Sequence, residues 1–117
     1  PEILLLDNNI LPSDENVYKT SNFFVSTHRT ESYCLEILES MASGVPVITN
    51  DIGASKDYCN DENSIIVKSD IIFENKKEIN GIKTVSFPFW IESQINDLRV
   101  KLRKAYDLDN EEYTNLS

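Results

Sequence analysis

The sequence predicts an α/β fold in which a parallel sheet is covered by helices. Three features point there: short apolar runs recur without strict alternation, segments of helical periodicity separate them, and glycines or polar clusters stand at the junctions. A strand that is apolar on both faces needs cover on both faces, and that is the environment of a parallel strand between helical layers.

The elements follow in chain order. "EILLLD" (2–7) is a short continuous apolar run and reads as a strand. "SDENVYKTS" (13–21) is polar, with an Asp-type helix start, and "NFFVST" (22–27) is again short and apolar. "YCLEILESMAS" (33–43) places Cys34, Leu35, Leu38, Met41 and Ala42 at helical spacing, with Gly44 as the stop. "VPVIT" (45–49) is the next buried strand, "ASKDYC" (54–59) a short helix after the Gly53 turn, and "SIIVK" (64–68) a further strand. Asn80-Gly81 is the dipeptide best suited to a two-residue hairpin turn, so 69–90 reads as an irregular, hairpin-like excursion from the sheet. Ile91, Ile95, Leu98, Leu102 and Ala105 recur every three or four residues and predict an amphipathic helix over 91–106. Asp109 is placed to cap one more helix.

Composition limits what such a fold can do. The chain has 117 residues, 40% of them apolar, enough for one domain with a modest core. A net charge of −9 disfavours nucleic acid and anionic membrane as partners, because both are bound by clustered Lys and Arg. The cations at Lys76-Lys77 and within 99–104 are diluted by acids or lie on the amphipathic helix, and read as solvated faces. Apolar runs of five or six residues are too short to span a bilayer, and no basic-then-apolar leader precedes them. Cys34 and Cys59 stand apart, without metal-ligand spacing, so reduced thiols in a cytoplasmic setting are expected, with no metal site.

One stretch, "THRTESYCLEILESMASGVPVITN" (27–50), has two readings from its residues alone: two acids on a solvated helix face, or a ligand site built on them. It sets Glu31 in the loop after a strand and Glu39 about two helical turns into the next helix. Ligands of an open parallel sheet bind beyond the carboxyl ends of its strands, where that loop lies. Free N–H groups at the start of the following helix suit a diphosphate, and Glu39 suits the vicinal hydroxyls of a ribose. Arg29 stands at the same strand end, where its charge could face the phosphates; His28 beside it reads as a loop or edge residue. Ser32 is placed either to cap the helix or to meet a phosphate oxygen, capping being preferred. Cys34, with nothing basic paired to it in the sequence, reads as a small packing residue rather than a reactive thiol.

The stretch resembles the signature of retaining glycosyltransferases of GT-B fold, glycosyl transferases group 1. Glu31 and Glu39 match the Glu-x7-Glu motif, Met41 to Gly44 match Met-Ala-x-Gly, and Val45-Pro46-Val47-Ile48 with Gly53 complete the pattern. The similarity spans 22–68, and "WIESQINDL" (90–98) is weakly similar to the start of the helix that follows the sheet in that family. The family usually carries glycines on either side of the aromatic after the first glutamate, whereas Ser32 and Cys34 flank Tyr33 here.

By that resemblance the chain is part of the C-terminal, donor-binding domain of a GT-B enzyme, with a Rossmann-like sheet. Glu31 is the catalytic residue at the transferred sugar, and Glu39 holds the nucleotide ribose. The backbone of Ser32, Tyr33, Cys34 and Leu35 lies near the diphosphate, with Arg29 beside it. The implied ligand is a nucleotide-diphosphate sugar, transferred with retention and without a cofactor or metal. The resemblance also makes "EILLLD" the third strand of that domain and leaves outside the chain an acceptor-binding half and the Arg and Lys that hold the diphosphate. The chain alone is then expected to be an incomplete catalyst, with an exposed sheet edge open to self-association. The cytoplasm, or the cytoplasmic face of a membrane, is the expected location of the whole enzyme. The alternative is a non-catalytic α/β binding or interaction module, a degenerate relative whose glutamates serve a protein partner.

Overall fold

The computed structural model describes residues 14–116, so the strand expected at 2–7 lies outside the described residues. Helix α1 covers Asp14–Lys19 and leads into β1, Phe24–Ser26. Helix α2 (Leu35–Ala42) connects β1 to β2 (Val47–Asn50), and a 3-10 turn at Ala54–Asp57 precedes β3 (Ser64–Val67). These three strands form one parallel sheet in the order β1-β2-β3. The register pairs Phe24 with Val47 and Val47 with Ser64. The fold is thus the α/β arrangement expected from the uninterrupted apolar runs.

Packing explains why those runs do not alternate. Val47 faces a cluster with Cys34, Ile37 and Cys59, joined by Phe24 and Met41. Ile48, its neighbour, faces the opposite cluster with Ile65, Val67 and Ala105, joined by Phe23, Leu98 and Leu116. Successive strand residues point to opposite faces, so a strand covered on both sides must be apolar throughout. All four residues of β2 are buried.

The end of α2 conforms to its sequence. Gly44 has a φ of +71°, and its N–H donates to the carbonyl of Met41, closing the helix through a left-handed residue that glycine adopts without steric cost. Inside, the Ser40 hydroxyl donates to the carbonyl of Val45, which satisfies a buried polar side chain.

The excursion after β3 is a long antiparallel hairpin. β4 (Ser69–Phe73) pairs with β7 (Phe89–Ser93), matching Ile71 to Ile91 and Phe73 to Phe89. At its tip β5 (Glu78–Ile79) and β6 (Ile82–Lys83) flank Asn80 and Gly81, whose φ values of 50° and 84° are those of the expected two-residue turn. The helix expected over 91–106 is corrected here. Ile91 belongs to β7, and α3 covers Ile95–Asp107. Within "WIESQINDL" Trp90 to Ser93 are strand, and the helix starts only at Ile95 after the N-cap Gln94. Ile91 is four residues before Ile95, a separation that fits a helix by coincidence, but pairing with β4 decides its conformation. Helix α4 (Asn110–Leu116) is capped as foreseen: the Asp109 carboxylate accepts from the N–H groups of Glu111 and Glu112, both at 2.9 Å.

Candidate functional site

The carboxyl ends of β1, β2 and β3 meet in one polar network. The Asn50 side-chain amide donates to the carbonyl of His28 at 2.7 Å, and the Ser93 hydroxyl donates to the Asn50 side-chain oxygen at 2.6 Å. The Asp51 N–H donates to the Val67 carbonyl, and its carboxylate accepts the N–H of Ser69. The loop that follows β1 is therefore anchored to its neighbours, and β7 adds a further tie, its Ile91 N–H donating to the Arg29 carbonyl at 2.8 Å.

Between this loop and the hairpin lies a cleft of about 620 Å³, lined by Arg29, Thr30, Glu31, Ser32, Ile52, Gly53, Phe89 and Ile91. Its size lies within the range of ordinary small-molecule sites. Glu31 is exposed in it and accepts a hydrogen bond from the Ser32 N–H at 3.1 Å. Gly53 shapes its floor. With φ at +110°, it lies so near its neighbours that a Cβ there would stand 2.9 Å from His28 Nε2 and 3.1 Å from Ile91 Cδ1.

Helix α2 begins at Cys34, which takes a φ of 62° and a ψ of 56° at the N-cap. That left-handed conformation suits glycine far better than a residue with a Cβ. A glycine, as the resemblance leads one to expect at this place, would take it without that cost. The preferred role of Ser32 is corrected: no side chain caps α2, and Ser32 instead spends its N–H on Glu31. Cys34 is held from outside the helix, because the Tyr58 hydroxyl lies 2.6 Å from the carbonyl of Tyr33 and 3.1 Å from that of Cys34. Burial pushes the Tyr58 hydroxyl up to about 12, with Cys34, Cys59 and Tyr33 adding to it.

The thiol of Cys34 is buried in the core, as a packing residue should be. It does have a basic neighbour, contrary to the reading of the sequence: both ring nitrogens of His28 lie 3.7 Å from Sγ. Burial, followed by the charges of Glu31 and Glu36, nevertheless pushes its pKa up, which keeps the thiol protonated. Both cysteines are free and buried.

The remaining candidate residues lie around this core. Glu39, on the exposed face of α2, accepts a hydrogen bond from the Tyr18 hydroxyl at 3.1 Å. Tyr33 and Leu35 are exposed at the start of the helix. Glu36 occupies the first turn of α2, where it complements the positive end of the helix and adds negative charge beside any incoming anion. Arg29 forms an ion pair with Glu92 on β7, with Nη2 2.8 Å from Oε2 and 3.0 Å from Oε1. Glu92 also accepts from the Trp90 indole at 2.9 Å, and these bonds, Arg29 first, hold its carboxyl below the ordinary value.

Tyr18, Tyr58, Phe89 and Glu92 were not singled out by sequence reasoning. Arg29 and Glu92 are 63 positions apart, and no periodicity links them. Tyr58 and Cys34 are 24 apart, and only the absent glycine at Cys34 hinted that something must hold that backbone.

A parallel sheet with an anchored loop and a helix start at its carboxyl edge defines an α/β protein of the kind that binds ligands at that edge. Residues 9–80 of the 117 match the family described as Glycosyl transferases group 1, and the chain belongs to that family. No curated protein matches the sequence. Among the described residues no helix is long and apolar enough to cross a membrane.

Proposed function

We propose that this chain forms the donor side of a retaining glycosyltransferase site, binding a nucleotide-diphosphate sugar across the start of α2. The observation that supports it most is the placement of the two glutamates: Glu31 opens into the cleft beyond β1, and Glu39 stands on the exposed face of α2, oriented by Tyr18. Glu39 accepts from the ribose hydroxyls, Glu31 meets the transferred sugar, and the diphosphate lies over the backbone of residues 32–35. The sugar leaves its nucleotide with retention, without a metal or other cofactor, as in the family pattern that Glu31 and Glu39 match.

Donor binding by the isolated chain is weak and salt-sensitive in this reading. Among the described residues that line the cleft Arg29 is the one cation, and Glu92 already engages it. Glu36 adds a repulsive charge at the helix start. Transfer then needs cations and an acceptor site supplied from beyond the stretch described, and the chain alone transfers no sugar.

Calorimetry on two variants tests the assignment. Glu39→Ala weakens a free nucleoside diphosphate and its nucleotide sugar alike, by about tenfold to a hundredfold, the worth of hydrogen bonds to a charged group. Glu31→Ala spares the free nucleotide and weakens the sugar nucleotide. Equal effects of Glu31→Ala on both ligands would overturn the roles, and indifference to both substitutions would favour the non-catalytic module.

A further inference from the structure

We infer that Phe89 on β7 is a stacking shelf for the ring of the transferred sugar, which makes that sugar a pyranose with an uninterrupted C–H face. The inference rests on the donor-site reading of Glu31 and extends it to the opposite wall of the cleft.

Phe89 and Ile91 project from the same face of β7 by strand alternation, and both line the cleft that holds Glu31. Phe89 is 56% exposed even though it has a strand partner and a ring neighbour in Phe73. It is not loosely held. Its strand is fixed by five paired residues of β4, by the Ile91 N–H on the Arg29 carbonyl, and by the Arg29–Glu92 ion pair. The Phe73 ring, 5.7 Å away between centroids, supports it from the side.

The cleft therefore has two chemically distinct sides. Phe89, Ile91 and Ile52 are apolar, while Glu31, Ser32 and Thr30 offer a carboxylate and two hydroxyls, and the charge of Arg29 is already paired with Glu92. A pyranose has the same division, a face of C–H bonds and a rim of hydroxyls, so one ring satisfies both sides at once. A flat charged ligand would leave the apolar side without a partner, and a purely apolar one would strand the carboxylate. Other exposed apolar residues of the hairpin, such as Ile82 and Val85, lie outside this cleft, and the combination belongs to Phe89 alone among them. Phe89 also lies beyond the stretch matched to the family, so the shelf is contributed by the hairpin and not by the shared motif.

The test is ligand-observed NMR with UDP, GDP, UDP-glucose and GDP-mannose on the chain, on Phe89→Leu, which keeps apolar bulk, and on Phe89→Tyr, which keeps the ring. The ring C–H protons of a bound sugar nucleotide are expected to shift upfield with the native chain and Phe89→Tyr, and to lose that shift with Phe89→Leu. Phe89→Leu should weaken the sugar nucleotide by about two- to tenfold, the worth of one aromatic contact, and leave the free diphosphate unchanged. Sugar protons that shift equally in Phe89→Leu, or a diphosphate weakened as much as its sugar nucleotide, overturn the shelf while leaving the donor site standing. A nucleotide insensitive to Glu39→Ala removes the donor-site reading, and the shelf with it.

Discussion

The hydroxyl of Tyr58 donates to the carbonyl oxygen of Tyr33 at 2.6 Å, and through that contact a residue after β2 fixes the backbone at which α2 begins. The neighbouring Cys34 carbonyl lies 3.1 Å from the same hydroxyl. One proton thus serves two acceptors at the only left-handed residue of the proposed diphosphate loop, and the start of the helix is positioned by tertiary structure in place of a side-chain cap.

Replacing that hydroxyl gives the first prediction. Tyr58→Phe should lower stability by about 1 kcal/mol near neutral pH, the net worth of a hydrogen bond. The pH dependence has a definite sign. The folded pKa of Tyr58 is raised to about 12 from an ordinary 10, so its contribution is complete below pH 10 and is lost as pH rises toward 12. A phenolate there would face two carbonyl oxygens with nothing to donate. Urea unfolding from pH 9 to 12 checks this, and Tyr58→Phe should remove part of the alkaline decline.

A second prediction concerns Cys34 itself. Its φ of 62° imposes the left-handed cost of about 1–2 kcal/mol that glycine escapes. Cys34→Gly and Cys34→Ala both lose the buried sulfur, but only the glycine relieves the backbone. Thermal unfolding should therefore find Cys34→Gly the more stable of the two, by about 1 kcal/mol. The reverse order would mean that the strain is not real.

The third prediction follows from the edge of the sheet. β1 has one strand neighbour among the described residues, and its Val25 is 43% exposed. An apolar edge of this kind recruits another strand. Sedimentation at micromolar concentration should show self-association that weakens when Val25 is replaced by Lys. A stable monomer would mean that the edge is covered within the chain.

The sheet was legible in the sequence because burial on both faces leaves a simple trace: Val47 and Ile48 are adjacent, apolar and packed into opposite clusters. The turn at Asn80-Gly81 was legible for a local reason, since both residues take the positive φ for which they are suited. Other features depend on contacts distant in the chain. The end of β7, from Ile91, reads as the beginning of a helix because the Ile91–Ile95 spacing suits either structure, and only its partner β4 distinguishes them. The site divides in the same way. Glu31 and Glu39 stood out by their motif, whereas the Tyr18 hydroxyl on Glu39 and the Glu92 carboxylate on Arg29 leave no local pattern.

The most direct test of the donor-site account is an amide-resolved NMR titration of the chain with UDP and GDP at millimolar concentration. A saturable response to one of them is expected, largest at Ser32, Tyr33, Cys34, Leu35, Glu39 and Tyr18, that declines with added salt as a charge-dependent contact must. A response that avoids the start of α2, or none at all with either nucleotide, would contradict it.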